Sequence, residues 1–225
     1  MTDQAPVALI VGAGPGISAG FAAALAADGY EVALAARRRD AVEALAASLG
    51  ARPFVVDAGH AASVQALFAE VEQSLGAPEV VLYNAGRRVR GDLLSLEPTA
   101  VLQALQVSSF GAFVTAQEAA RRMLPRGRGS LFFTGATAGI KGFAKSSPFA
   151  MGKFALRGLA QSLARELGPQ GIHVVHFVID GAVVHEDRDD RLTPQAIAAS
   201  YMAALRQPPG AWSWEIELRS RDEPF

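Results

Sequence analysis

The chain contains no cysteine, which excludes disulfides, thiolate nucleophiles and cysteine-based metal sites, and fits a reducing compartment. Histidine is scarce as well, with four residues scattered along the sequence. Without cysteine they do not form a cluster, so no metal site is expected. An excess of charge of either sign is also missing: 21 Lys and Arg face 22 Asp and Glu, a formal net of −1. That balance speaks against a nucleic-acid or anionic-lipid surface. The apolar run at 7–11 is far too short to span a bilayer, and residues 1–6 lack a basic leader. The expectation is a soluble, cytoplasmic protein with neither a membrane nor a nucleic-acid partner.

What is present is a chain of 225 residues, half of them hydrophobic, long enough for one substantial α/β domain over 1–225. Short apolar runs at 7–11, 31–35, 52–56, 80–83, 130–134, 173–179 and 214–218 read as strands. Between them lie alanine-rich helical patterns at 17–28, 40–49, 62–75, 99–123 and 148–167. Nearly continuous apolar strands separated by helices imply a parallel sheet covered on both faces. With the right-handed crossover rule, this predicts a Rossmann-type doubly wound sheet of about seven strands flanked by helices. Gly29, Gly50, Gly76 and Gly168 follow helical stretches, where left-handed C-caps are expected. Thr193-Pro194 predicts an N-cap and first position for a further helix. The charged run 186–191 reads as a solvated loop, with a ligand-contacting lid as the alternative.

The first strand runs into Gly12-Ala13-Gly14-Pro15-Gly16-Ile17-Ser18, where a helix starts. Glycine allows a tight turn and close approach to a pyrophosphate, whose charge is favoured by the helix N-terminus. Gly12, Gly14, Gly16 and Ile17 are therefore candidate dinucleotide contacts. Pro15 removes one N–H donor, while the Ser18 hydroxyl is a candidate donor to a phosphate oxygen. The second strand ends at Arg37-Arg38-Arg39 with no carboxylate at its tip. An arginine there accommodates a 2′-phosphate, so NADP(H) is preferred over NAD(H), with Arg37 first and Arg38 second as the contact.

Taken in order, these segments resemble the short-chain dehydrogenase/reductase family over almost the whole chain. Tyr83-Asn84-Ala85-Gly86 is similar to the family's Asn-Asn-Ala-Gly at the end of the fourth strand. The resemblance implies that Asn84, Ala85 and Gly86 border the cofactor. It further implies that Asp57 contacts adenine, and that Gly181 and Val183 lie near the nicotinamide. It also implies an oxidoreductase that pairs through its long helices as a homodimer or homotetramer, acting on an unidentified small molecule. Trp212 and Trp214 would either anchor a further contact or cap the last strand.

At the catalytic positions the chain departs from the family's Asn, Ser, Tyr and Lys. Ser108 stands at the Asn position, Ala136 at the Ser position and Phe149 at the Tyr position; Lys153 alone is retained. The chain therefore resembles a divergent subgroup with Phe in place of the catalytic Tyr. A phenylalanine neither gives nor takes a proton. Lys153 then reads as a ligand of the nicotinamide ribose, with a role as acid the alternative. His185 is a further candidate acid, and Asp180 and Ser147 weaker ones. Arg87, Arg88 and Arg90 follow the Asn-Ala-Gly turn and either attract an anionic substrate or form a solvated loop. Three functions stay open: an NADP(H)-dependent oxidoreductase with a rearranged proton path, a cofactor-binding or partner-binding scaffold without turnover, or a reaction other than hydride transfer, such as dehydration or isomerisation, on the same scaffold.

Overall fold

The computed structural model describes residues 5–184 and 190–221. The apolar runs form seven strands: β1 (Val7–Val11), β2 (Glu31–Ala36), β3 (Arg52–Val55), β4 (Val80–Tyr83), β5 (Gly129–Thr134), β6 (Ile172–Asp180) and β7 (Glu215–Arg219). All pair in parallel, in the order β3-β2-β1-β4-β5-β6-β7. The order reverses between β1 and β4. In open α/β sheets the crevice at such a switch point, beyond the carboxyl ends of the strands, is where ligands bind. The seven strands fall within one residue of the runs in the sequence. Strands β1, β2, β4, β5 and β6 are almost wholly buried and so largely apolar, while the edge strands β3 and β7 are mostly exposed or half-buried.

The helices are α1 (Ile17–Ala27), α2 (Arg39–Leu49), α3 (Ala61–Leu75), α4 (Pro98–Leu105), α5 (Gly111–Met123), α6 (Ser147–Leu167) and α7 (Pro194–Leu205). Strand residues alternate between two cores. Leu9 and Val11 pack with Phe68, Ala112 and Leu156 from α3, α5 and α6. Ala8 and Ile10 pack with Phe21, Val42 and Tyr201 from α1, α2 and α7. At the start of α7 the Thr193 hydroxyl accepts from Ala196 N–H at 3.2 Å, with Pro194 in the first turn, as the sequence predicts.

Two expectations need correction. The stretch 99–123 is not one regular helix: a π-helical turn, Gln106–Phe110, separates α4 from α5. Its cause is tertiary. The Tyr83 hydroxyl donates to the Val107 carbonyl, and Gly111 packs so tightly that a Cβ there would meet Ala58 O at 2.0 Å. An outside group engaging the backbone ladder breaks the regular i→i−4 pattern. The second correction concerns the C-caps. Gly50 is left-handed at φ 65°, and Gly29 has φ 86°. Gly76 has positive φ but extended ψ (105°, 170°). Gly168 stays helical at φ −55°. Without a Cβ to meet the following Pro169, the chain continues through one 3₁₀ turn, Gly168–Gln170, and the left-handed residue is Gly171 at φ 85°.

The tryptophans close the last strand rather than standing free. The Trp212 ring stacks on His173 with centroids 4.7 Å apart, and its Nε1 donates to the Gln207 carbonyl at 3.1 Å. The Trp214 carbonyl accepts from His176 N–H at 2.8 Å, beside the start of β7.

Candidate active site

The turn after β1 is built against β4. Gly12 has φ 93°, and a Cβ on it would lie 2.3 Å from Ala85 N. Asn84 Nδ2 donates to the Gly12 carbonyl at 3.0 Å, while Gly12 and Ala13 both donate to Ala35 O. Ser18 overturns one expectation. Its hydroxyl accepts from Gly14 N–H at 2.8 Å and donates to the Gly14 carbonyl at 3.0 Å, and the side chain is buried. It closes the turn on itself instead of reaching for a phosphate. With Pro15 lacking an N–H, the donors aimed outward are those of the α1 N-terminus, where Gly16 is the N-cap and Ile17 the first residue.

Above this turn lies a cavity of about 640 Å³, lined by Gly12, Gly14, Arg37, Arg38, Asn84, Ala85 and Gly86 among others. No Asp or Glu is among its described lining residues. Asp57 stands outside that wall. Its carboxylate accepts from Gly59 N–H at 2.9 Å and meets His60 Nδ1 at 3.0 Å; these contacts hold its pKa below the usual value.

A second cavity of about 700 Å³ adjoins the first, sharing Asn84 and Gly86. Ala136, Phe149, Lys153, Gly181 and Val183 all line it. They come from the end of β5, one face of α6 and the segment after β6. Phe149 and Lys153 are four residues apart and so share a helix face. The Lys153 ammonium is buried, with 6% of the residue exposed, and donates to the Thr134 carbonyl at 2.7 Å. Burial, and secondarily the Arg88 charge, push its pKa down to about 8. The Arg88 guanidinium lies 4.7 Å from the centroid of the Phe149 ring, with Lys153 Nζ at 5.8 Å.

Ser108 is not on this wall. It sits buried in the π turn, where its hydroxyl accepts from Arg87 N–H at 3.2 Å. A Cβ on Gly152 would approach its Cβ to 2.8 Å. Asp180 is engaged too, by the Thr137 hydroxyl at 2.6 Å and by Arg219. Ser147 is exposed and off the wall; its neighbour Ser146 lines the cavity instead. Sequence reasoning missed Ser146. Its signal is its place as N-cap of α6, where its side chain makes no cap hydrogen bond. His185 lies outside the described residues.

The short chain dehydrogenase family model matches residues 6–188 of this chain. The chain belongs to that family. A short-chain dehydrogenase/reductase of Armillaria gallica is 33% identical over 184 residues, spanning 78% of this chain and 70% of its own length. Among solved structures, a short-chain dehydrogenase from Rhodopseudomonas palustris superposes with TM-score 0.84 at 33% identity, covering 95% of this chain and 98% of its own. An alcohol dehydrogenase from the archaeon Thermococcus sibiricus, complexed with 5-hydroxy-NADP, gives 0.85 at 26% identity, over 96% and 97% of the two chains. In this short-chain dehydrogenase, then, the glycine turn and β4 form one cradle, and the cavity beside it opens over Phe149 and Lys153. A dinucleotide fits the cradle: Gly14 lines it with open space where a side chain would stand, since a Cβ there would meet nothing within 4 Å, and Gly12 lets the turn close against β4.

Proposed function

We propose that this chain is an NADP(H)-binding oxidoreductase with an atypical active site, in which Lys153 serves the cofactor and no tyrosine supplies a proton. The observation that carries this reading is the pair of adjoining cavities. They share Asn84 and Gly86 and run from Arg37 and Arg38 at one end to Lys153 at the other. A bound nicotinamide supplies a hydride. The chain's own residues do the rest: Gly12, Gly14, Gly16 and Ile17 cradle the pyrophosphate, Arg37 and Arg38 take the 2′-phosphate, and the Lys153 ammonium holds ribose hydroxyls. Asp57, Ala85, Gly181 and Val183 complete the cofactor contacts.

Calorimetric titration tests it. NADPH is expected to bind at least about tenfold more tightly than NADH, the worth of one charge-assisted hydrogen bond. Replacing Arg37 and Arg38 by Ser is expected to remove that difference. Equal affinities in the unaltered chain would overturn the preference, and no binding of either at about 1 mM would overturn the reading itself.

Phe149→Tyr alone is expected to leave carbonyl reduction within about twofold of the unaltered chain, although a positioned acid is worth roughly 100- to 10,000-fold. Ala136 offers no hydroxyl to orient a carbonyl, and Ser108 does not reach the cavity. NADPH oxidation over a panel of aldehydes and ketones checks this; a hundredfold rise would show that the phenylalanine is the only obstacle.

The same reading includes self-association. Leu102, Phe110 and Phe113 on α4 through α5, and Met151 and Phe154 on α6, are large apolar side chains left exposed. The expected species is a homodimer or homotetramer. Light scattering at micromolar concentration that returns the mass of one chain would contradict it.

A further inference from the structure

We infer that the cavity over Phe149 takes a substrate bearing an oxyanion, a carboxylate or a phosphate ester, gripped by Arg88 and Arg90. The inference rests on reading that cavity as the substrate site beside the cofactor.

Charge is the first observation. Arg88, Arg90 and Lys153 all line the cavity, and none of its described lining residues is Asp or Glu. Uncompensated positive charge in a concave site draws in anions and repels cations.

The pairing of the arginines is the second. Arg87, the residue before Arg88, is tied down through its guanidinium, which donates to Gln103 Oε1 at 2.7 Å. Arg122 and Arg157 elsewhere are matched to carboxylates. Among the described residues Arg88 and Arg90 have no ion pair and no hydrogen bond, so their donors stay open to a ligand. A guanidinium is matched in shape to a carboxylate or a phosphate by its planar fork.

The third observation gives Phe149 a use. Arg88 lies over its ring at 4.7 Å from the centroid, close enough for a cation–π attraction. The ring therefore acts as a shelf that limits the freedom of an otherwise mobile side chain before any ligand arrives. Lys153 stands 5.8 Å from the same ring centroid, bringing a second cation to the same shelf. Two like charges near one ring repel unless an anion joins them. The pKa of Lys153 is lowered first by burial and second by the Arg88 charge, and only the second part reports that repulsion.

The test is calorimetric titration of the full chain at low salt, saturated with NADP⁺ so that Arg37, Arg38 and the α1 N-terminus are covered. The probes are malonate for a carboxylate, inorganic phosphate for a phosphate ester, and uncharged malonamide as control. Malonate or phosphate is expected to bind in the millimolar range or tighter, and malonamide not at all; whichever anion binds more tightly names the source. Replacing Arg88 and Arg90 together by Met is expected to weaken the anion at least about tenfold while leaving NADP⁺ affinity unchanged.

Malonamide binding as well as malonate would overturn the inference, as would a double variant that keeps its anion. Loss of NADP⁺ affinity in that variant would also overturn it, by assigning these cations to the cofactor. If NADP⁺ itself fails to bind, the cofactor reading falls. The titration is then repeated on the chain with Arg37→Ser and Arg38→Ser, where retained malonate or phosphate binding supports the anion site alone and its absence overturns it.

Discussion

Lys153→Met is expected to lower NADP(H) affinity at least about tenfold while leaving the fold intact at pH 7. It is also expected to abolish one component of the chain's response to alkali. The Lys153 ammonium is buried against one carbonyl, Thr134 O, and no ion pair is made to it among the described residues. Burial is the first cause of its lowered pKa and the charge of Arg88 the second. The fall from 10.5 to about 8 corresponds to roughly 3 kcal/mol of penalty for holding the charged form.

The sign follows from proton binding in the two states. Above pH 10.5 the lysine is neutral whether folded or unfolded, and this penalty is absent. As pH falls from 10.5 to about 8, the unfolded chain takes up the proton first, so the folded state loses stability. Below about 8 both states are protonated and the penalty is present in full. Stability of the unaltered chain therefore gains from this group between about pH 8 and 10.5, and Met at 153 does not share the gain. Urea unfolding of both proteins at pH 7 and pH 10 measures the difference. The stability gap between them should change by a few kcal/mol, or on the order of 10 °C in Tm for a chain of this size. Parallel curves would mean that Lys153 titrates as it does in water. An unchanged NADPH affinity would remove it from the cofactor site.

The central strands β1, β2, β4, β5 and β6 were legible because they are almost wholly buried, which makes them largely apolar runs, whereas the edge strands β3 and β7 are exposed or half-buried and carry weaker signals. The break at 106–110 was not, because its cause lies outside the helix. Tyr83 and Ala58 come from other elements, and nothing local in Gln106-Val107-Ser108-Ser109-Phe110 announces a π turn. The glycine turn was readable for the same reason that Gly12 matters, since the pattern is local. The self-closure by Ser18 depends on the path of the turn, which the pattern does not specify. At the catalytic positions, the resemblance to the family's Tyr-x-x-x-Lys segment was enough to identify Phe149 and Lys153. It could not bring Arg88 onto the Phe149 ring, because that contact joins a loop after β4 to a helix after β5. Ser108 shows the same limit: its alignment with the family's asparagine was readable, its burial away from the cavity was not.

The glycines of the phosphate turn differ in what they tolerate, and the contrast gives the second large effect. Gly12→Ala is expected to destabilise the chain by about 3 kcal/mol or more, combining positive-φ strain with a backbone collision. The added Cβ would lie 2.3 Å from Ala85 N, 2.5 Å from Ala85 Cα and 2.8 Å from the Asn84 carbonyl carbon. All three are main-chain atoms, so no side chain can swing aside. Relief requires parting the turn from the end of β4, where Asn84 Nδ2 holds the Gly12 carbonyl and Asn84 N–H holds the Val11 carbonyl. That movement also widens the cradle, so NADPH binding should fall at least about tenfold with the stability. Gly14→Ala is the internal control. A Cβ there meets nothing within 4 Å, and Gly14 is not among the positive-φ residues. It should change stability by less than about 0.5 kcal/mol, and any loss of NADPH affinity then reports cofactor contact rather than a damaged fold. Thermal unfolding and NADPH titration of the two variants side by side decide it. Equal stability for both would mean that the close approach of Gly12 to β4 does not hold the turn.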